Sequence, residues 1–190
     1  MNNPYIEGEE FKGLDFTREP LPKGEYEDCI FTKCTLSNAD LFGVNFVDCE
    51  FIQCNISTAN ISNTGFRQVL FKECKLLGLR FEHCSDFLFS VNFEDCQLDL
   101  SSFYKRSMKN AYFKNCSLKE VDFSEANLTN ARFLNCDLTG TSFDRTQLGK
   151  ADFRTSYNFT LDPETNVIKG ARFSREGIIG LLSKYNIHIE

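Results

Sequence analysis

The stretch from Ala111 to Phe153, AYFKNCSLKEVDFSEANLTNARFLNCDLTGTSFDRTQLGKADF, decides the fold of this chain. A small residue, a usually polar residue and a large apolar residue recur every five positions, and two free positions follow each triplet. An amphipathic helix repeats every 3.6 residues and a half-buried strand every two, so neither gives a period of five. The period therefore indicates a repeat architecture, which has to be considered before any isolated element.

The cysteines and phenylalanines carry a second period of twenty residues. Six cysteines recur at this spacing, and in the pentapeptide before each of them the apolar centre is Phe. The spacing in both series is twenty, except that it widens once to 22, which in the Phe series is between Phe71 and Phe93. Four pentapeptides therefore make one coil, equivalent coils stack in register, and two extra residues lie within 82–91. The cysteine series is Cys34, Cys54, Cys74, Cys96, Cys116 and Cys136.

Stacking of this kind predicts an all-β solenoid. Coils that pair their backbones lie about 4.8 Å apart, so about seven coils give a rod on the order of 35 Å long. The small and the central residue of each triplet should both point inward, because a uniform residue type along a stacked row indicates a uniform environment. Phe rings stacked in such a row would add about 0.5–1.5 kcal/mol per pair beyond their burial.

The repeat defines three segments. Residues 1–28 keep it only weakly and contain Pro4, Pro20 and Pro22, so we expect an N-terminal capping segment that protects the edge of the first coil. Residues 29–155 form the regular solenoid. Residues 156–190 should contain a loop, a helix over about 174–185 that ends near Asn186, and a short strand from Ile187.

Composition and charge narrow the function classes. The chain of 190 residues has a net charge of -6, which argues against a general nucleic-acid binder. It has no long apolar run and no N-terminal signal segment, so we expect a soluble cytoplasmic protein. Nine cysteines without a CxxC pair, and only two histidines, give no metal-ligand set. We expect no cofactor and no metal, with the cysteines serving as small buried residues.

Several triplets resemble the A(D/N)LXX core of the pentapeptide-repeat proteins. The resemblance extends over roughly residues 27–155 and implies a right-handed quadrilateral parallel β-helix. The matching triplets are Ala39-Asp40-Leu41, Ala59-Asn60-Ile61, Ala126-Asn127-Leu128 and Ala151-Asp152-Phe153.

The C-terminal segment is similar to that of the quinolone-resistance (Qnr-type) pentapeptide proteins, in which this part forms a head-to-head dimer. Its apolar residues fall at helical spacing and need a partner surface, which is either a second copy or the last coil of the same chain. The resemblance favours a homodimer. The dimerisation candidates are Ile178, Ile179, Leu181, Leu182, Tyr185, Ile187 and Ile189.

The insertion offers a second candidate surface. Stacking should bring residues of the insertion and of the following coil to one corner of the rod, and aromatic residues beside Arg are typical of interface hot spots. Local repacking is the alternative, in which Phe87 or Phe89 fills the widened coil and Arg106 either extends to solvent or pairs with Asp86. This insertion corner comprises Phe87, Phe89, Tyr104, Lys105 and Arg106.

The acidic surface is the third candidate. The resemblance to quinolone-resistance proteins implies a DNA-mimicking rod that binds DNA gyrase and topoisomerase IV, without direct nucleic-acid or membrane binding. Interspersed lysines and arginines leave a merely solvated acidic rod as the alternative. The candidates are Asp40, Glu50, Glu73, Glu94, Asp95, Asp122, Glu125, Asp144 and Asp152.

An enzymatic function has weak support. His83, Cys84 and Asp86 are the only cluster that resembles a nucleophile set, and no glycine-rich elbow or second histidine accompanies them. We expect no catalytic residues. A DNA-mimicking dimer that modulates quinolone susceptibility is the leading hypothesis, and a general protein-interaction scaffold that uses the insertion corner is the alternative.

Overall fold

The chain folds into one rod of stacked parallel coils. The structure, a computed structural model, describes residues 4–185, 187 and 188. Its strands form a four-stranded sheet in the order β1-β3-β5-β7 and a seven-stranded sheet in the order β11-β10-β9-β8-β6-β4-β2. The strands are β1 (Tyr5–Glu7), β2 (Glu10–Lys12), β3 (Glu25–Glu27), β4 (Ile30–Thr32), β5 (Asn45–Val47), β6 (Glu50–Ile52), β7 (Gly65–Arg67), β8 (Val69–Lys72), β9 (Val91–Glu94), β10 (Tyr112–Lys114) and β11 (Arg132–Leu134).

The register confirms the twenty-residue coil and its single shift. Phe31 pairs with Phe51 at an offset of twenty residues, and Phe71 pairs with Phe93 at an offset of 22. Beyond β11 isolated parallel bridges continue the ladder as far as Asp152 and Arg172. The parallel β-solenoid predicted from the repeat is therefore the observed fold.

Stacked phenylalanine rings fill the interior. Along one side of the rod, successive ring centroids lie between 4.6 and 5.4 Å apart with nearly parallel planes. Rings on adjacent sides meet edge to face, as Phe113 and Phe123 do at 5.7 Å and 80°. Both arrangements are favourable for aromatic pairs. The stacked row is Phe11, Phe31, Phe51, Phe71, Phe93, Phe113, Phe133, Phe153 and Phe173.

The small inward residue often forms a buried hydrogen bond. Its hydroxyl or thiol donates a hydrogen bond to the carbonyl of a central residue 23 positions earlier. Thr64 Oγ1 donates to Leu41 O at 2.7 Å, and Cys54 Sγ lies 3.2 Å from Phe31 O. Such bonds satisfy the buried hydroxyl or thiol, which would be costly to leave unpaired, since Leu41 O already accepts the Val44 N–H at 3.0 Å. All nine cysteines are free and buried, and burial raises the pKa of the Cys49 thiol to about 12, so it stays protonated.

Most corners of the rod contain a residue with a left-handed backbone conformation. The second residue after each apolar centre has a positive φ at most corners, for example 53° at Asn115 and 54° at Asn135. Asn and Asp tolerate this region better than most residues. At this corner they also form a ladder, because Asn135 Nδ2 donates to Asn115 Oδ1 at 3.2 Å and Asn115 Nδ2 to Asp95 Oδ1 at 2.9 Å.

The N-terminal segment is more regular than its sequence suggested. β1 and β2 pair in register with β3 and β4, so the first coil is complete on two sides. Pro4 takes part as an acceptor, since its carbonyl receives the Glu25 N–H at 2.9 Å, and an acceptor is all that proline can supply. The Pro22 carbonyl likewise accepts the Tyr26 hydroxyl at 2.7 Å.

The C-terminal segment differs from the expected helix. It contains two short 3₁₀-helices, Gly177–Leu181 and Ser183–Tyr185, and none of the described helices is long and apolar enough to cross a membrane. Close packing explains the glycines, because a Cβ on Gly180 would lie 2.2 Å from the Phe159 carbonyl oxygen. Ile187 and His188 are not in a strand, and Asn186 and Ile189 lie outside the described residues.

The stacked row predicts the stability of the rod. Replacing Phe113, which is fully buried between two stacked rings, with Ala should lower the free energy of unfolding by about 3–5 kcal/mol in urea titrations. Tyr157→Ala is the control, because this ring is 51% exposed and its loss should change stability by about 0.5 kcal/mol or less. Equal effects of the two substitutions would contradict the packing argument.

Candidate protein-interaction surfaces

The two extra residues form a bulge on one side of the rod. The Ser85 N–H donates to Thr64 O and the Ser90 N–H donates to Phe66 O, both at 2.9 Å. The regular ladder therefore stops at Ser85 and resumes at Ser90, within the predicted range 82–91. Phe87 and Leu88, at the tip of the bulge, are each 66% exposed.

Arg106 lies inside the coil that follows the bulge. It occupies the small inward position, is 3% exposed, and donates from Nε to Phe81 O at 2.6 Å. Its other nitrogens donate to Cys84 O and to the Asp86 carboxylate, and its guanidinium lies 4.8 Å from the centre of the Phe89 ring. Arg106 therefore donates to the carbonyl of a central residue, as Thr64 does, and its longer side chain spans the widened coil.

The residues of the insertion corner do not converge on one patch. Arg106 and Phe89 pack into the widened coil, as the repacking alternative expected. Tyr104 and Lys105 turn to the next coil, where the Tyr104 hydroxyl donates to Glu125 at 3.1 Å and Lys105 Nζ lies 3.5 Å from the same carboxylate. Phe87 remains at the surface with Leu88, which the sequence analysis did not single out.

The cluster near the bulge does not form a nucleophile–base pair. Cys84 is buried, its thiol faces Ile61 O at 3.4 Å, and burial raises its pKa to about 12. The Asp86 carboxylate is turned to Arg106, and His83 is exposed. Across the described residues, no group of three or more His, Cys, Asp or Glu side chains could hold a metal ion.

Five of the nine acidic candidates lie next to a cation. Asp152 is 2.7 Å from Arg154, and this hydrogen-bonded ion pair lowers the pKa of the carboxyl. Asp144 and Glu125 both face Arg145, at 3.1 and 3.2 Å. Asp40 lies 3.4 Å from Lys23, and Glu94 lies 3.9 Å from Lys114. These pairs divide the acidic surface into partly neutralised patches on several sides of the rod.

The net charge is concentrated at the N-terminal end. Residues 1–50 contain 11 acidic and 4 basic side chains, a net charge of -7, whereas residues 51–190 contain 16 acidic and 17 basic ones, a net charge of +1. The sequence analysis missed this because it treated the acidic residues as one surface along the whole rod. Sorting the charges by coil would have found it. The acidic side chains on the side of β1, β3 and β5 and its corner are Glu7, Glu25, Glu27, Asp28 and Asp48.

The C-terminal segment covers the end of the rod and exposes apolar side chains. The Leu161 N–H donates to Gly180 O at 3.0 Å, and Lys184 Nζ lies 2.7 Å from both Asp162 and Glu164, which lowers the pKa of each carboxyl. A groove of about 980 Å³ runs between this segment and the last coil. Among the dimerisation candidates Ile178, Ile179, Tyr185 and Ile187 are exposed, and Leu181 and Leu182 are half-buried.

The repeat is matched by a known family model. The model of the pentapeptide repeat region matches residues 25–85 and 87–158. The chain belongs to the pentapeptide-repeat family. In this pentapeptide-repeat protein the match breaks at residue 86, at the start of the bulge. No curated protein sequence matches the chain.

Solved pentapeptide-repeat structures are similar in fold. A trypsin-treated variant of QnrB1, a plasmid-mediated fluoroquinolone resistance protein, matches with a TM-score of 0.73 and 16% identity, covering 100% of this chain and 92% of the other. HetL, a pentapeptide repeat protein involved in heterocyst differentiation regulation in Nostoc, is 16% identical with a TM-score of 0.35, covering 92% and 86%. The QnrB1 match supports the solenoid fold over the whole chain.

The interior position of Arg106 can be tested by substitution. Arg106→Met keeps most of the side-chain length but leaves the buried carbonyl of Cys84 without a donor, whereas the Phe81 carbonyl still accepts the Cys84 N–H. The free energy of unfolding should therefore fall by about 1–3 kcal/mol. Asp86→Asn is the control. The Asp86 side chain is 97% exposed, so its loss should change stability by about 1 kcal/mol or less. Unchanged stability of Arg106→Met in urea titrations would refute this role.

Proposed function

We propose that this pentapeptide-repeat protein is a non-enzymatic DNA mimic in the cytoplasm. It binds DNA gyrase or topoisomerase IV as a homodimer and thereby modulates susceptibility to quinolones. The family membership, the fold shared with a QnrB1 variant and the acidic N-terminal end support this proposal together. Its binding surface is the acidic end of the rod rather than the whole length.

Charge density is the observation that carries the proposal. Duplex DNA has one negative charge per about 1.7 Å of axis, and one coil advances about 4.8 Å, so a duplex-like rod needs about three net negative charges per coil. Residues 1–50 make two and a half coils of twenty residues and carry a net charge of -7, or about three per coil. Residues 51–190 carry almost none, so only the N-terminal end matches duplex DNA.

The homodimer rests on the exposed apolar side chains of the C-terminal segment. Ile178, Ile179 and Ile187 are 47%, 53% and 55% exposed at one end of the rod. A two-fold contact between two such ends would bury them and place the acidic ends at the two extremities of a longer rod. This arrangement extends the DNA-like shape while leaving the acidic surfaces accessible.

A protein-interaction scaffold with an unrelated partner is the second candidate. The exposed tip of the bulge favours it, because Phe87 and Leu88 are large apolar residues in open solvent. The partner would contact these two residues and not the buried guanidinium of Arg106. A pull-down with Phe87→Ala/Leu88→Ala should then lose the partner, whereas unchanged partners would exclude this surface.

Removing acidic charge from the N-terminal coils should weaken gyrase binding. Glu7→Gln/Asp28→Asn/Asp48→Asn removes three negative charges at exposed positions. We therefore expect inhibition of gyrase supercoiling to need about tenfold more protein. Glu73→Gln/Asp95→Asn/Glu120→Gln removes the same charge elsewhere and should have little effect. Absence of both inhibition and quinolone protection with the unaltered protein at micromolar concentration would refute the function.

Charged residues in the C-terminal segment should prevent the dimer. Ile178→Asp/Ile187→Asp leaves the contacts with Phe159 intact, so the rod should remain folded but lose the end-to-end contact, which lowers the molar mass measured by light scattering. Leu100→Asp is the control, because Leu100 is 61% exposed on the side of the rod, far from this end. A variant that keeps the molar mass of the unaltered protein would show that this segment only covers the last coil.

A further inference from the structure

One side of the rod carries opposite charge at its two ends. We infer that this side, which contains β1, β3, β5 and β7 and continues through Ser107, Asn127, Gln147 and Val167, binds a second copy of the chain in an antiparallel, side-by-side contact. This contact does not use the 3₁₀-helices of the C-terminal segment. It covers Glu7 and Asp28, so it would compete with topoisomerase binding for the acidic end of the rod. The bulge lies at the centre of the contact.

The bulge divides this side into two arms of equal length. Counting coils along the rod, Tyr5–Glu7 lies four coils before the bulge, and Val167 with Lys169 lies four coils after it. Asp28 lies three coils before, and Lys150 lies three coils after. A two-fold axis that runs along the strand direction at the level of the bulge therefore superimposes each arm on the other.

The side chains at symmetry-related positions are complementary. Glu7 and Lys169 each directly follow a central isoleucine, so the axis brings them opposite each other. Asp28 and Lys150 both occupy the left-handed corner position, with φ of 51° and 59°. All four are exposed, and in the described part of the chain none of them forms an ion pair within 4.0 Å.

Apolar contacts reinforce the charge pairs. Tyr5 and Val167, which precede the same central isoleucines, are 56% and 51% exposed and would meet across the axis. At the axis itself Phe87 and Leu88 would pack against the same residues of the other copy, which removes two large apolar side chains from water.

Two symmetry-related pairs on each arm have like charge. Arg67 faces Lys109, one coil on either side of the bulge. Arg67 is already neutralised, because its guanidinium lies 2.7 Å from Glu25 and 5.7 Å from the centre of the Phe87 ring.

At the opposite corner Lys23 faces Arg145, and each of these lies next to a carboxylate of its own chain, at 3.4 Å from Asp40 and 3.2 Å from Glu125. The like-charge pairs are therefore partly compensated, whereas the two unlike pairs on each arm have no other ion-pair partner among the described residues.

A thiol at the centre of the contact distinguishes it from an end-to-end dimer. In the lateral contact, the exposed thiol introduced by Leu88→Cys lies next to the same thiol of the other copy. A dimer through the C-terminal ends would leave the two thiols about 40 Å apart. Leu100→Cys is the matched control, since Leu100 is 61% exposed, also has a positive φ and lies on another side. With a short bis-maleimide, dimer yield should be at least tenfold higher for Leu88→Cys.

Charge reversal tests the pairing itself. In the Leu88→Cys chain, Glu7→Lys/Asp28→Lys makes the paired positions basic on both arms, and Lys150→Glu/Lys169→Glu makes them acidic on both arms. Each variant alone should lose cross-linking about tenfold, and a mixture of the two should restore it between unlike chains. The yield should also fall at about 1 M salt, where the screening length is about 3 Å.

Three results would overturn the lateral contact. Equal yields from Leu88→Cys and Leu100→Cys would mean that the two copies do not meet at the bulge. Undiminished cross-linking of either reversed chain alone would exclude the charge pairs, as would failure of the mixture to restore it. Gyrase inhibition by the unaltered protein, which keeps Glu7 and Asp28, can persist in all three cases, so loss of this proposal is distinguishable from loss of the proposed function.

Discussion

Vertical alignment is the constraint on which the structure depends. Each residue of a regular coil lies next to the residue twenty positions earlier, because backbone N–H groups of one coil donate to carbonyls of its neighbours. Each side chain is therefore stacked on the side chain at the equivalent position of the neighbouring coil, along the whole rod. The interior accepts only residues that stack or that supply a hydrogen-bond donor, and the corners accept residues that tolerate a left-handed backbone. On the surface, the charges at equivalent positions of successive coils add together.

This alignment explains which features the sequence could predict. The solenoid, the Phe row and the location of the insertion follow from spacing alone, because they depend on residue type at a fixed period. The interior path of Arg106 did not follow, since it depends on the width that the insertion gives to one coil. Nor did the pairing of the first coil, because Pro4 contributes through its carbonyl, and the tight contact of Gly180 with Phe159 replaced the expected helix by shorter turns.

The same rule connects the interior with the surface. The insertion widens one coil, Arg106 fills the widened interior and donates to the carbonyls of Phe81 and Cys84, and the extra residues are pushed outward at Leu88 and its neighbours. The exposed apolar tip and the buried arginine are therefore two results of one local event. Since the tip lies between the acidic and the basic arm of one side, a defect in the repeat coincides with the point at which the surface changes its charge.

The constant offset between paired residues also has a consequence for how the chain folds. Contacts between coils join residues about twenty positions apart, wherever along the rod they occur. Adding a coil lengthens the molecule without lengthening any loop that must close, so the entropy of closure for each coil does not grow with chain length. A chain emerging from the ribosome can therefore bury each coil once the next twenty residues are available, and folding can advance as a front from an already formed neighbour.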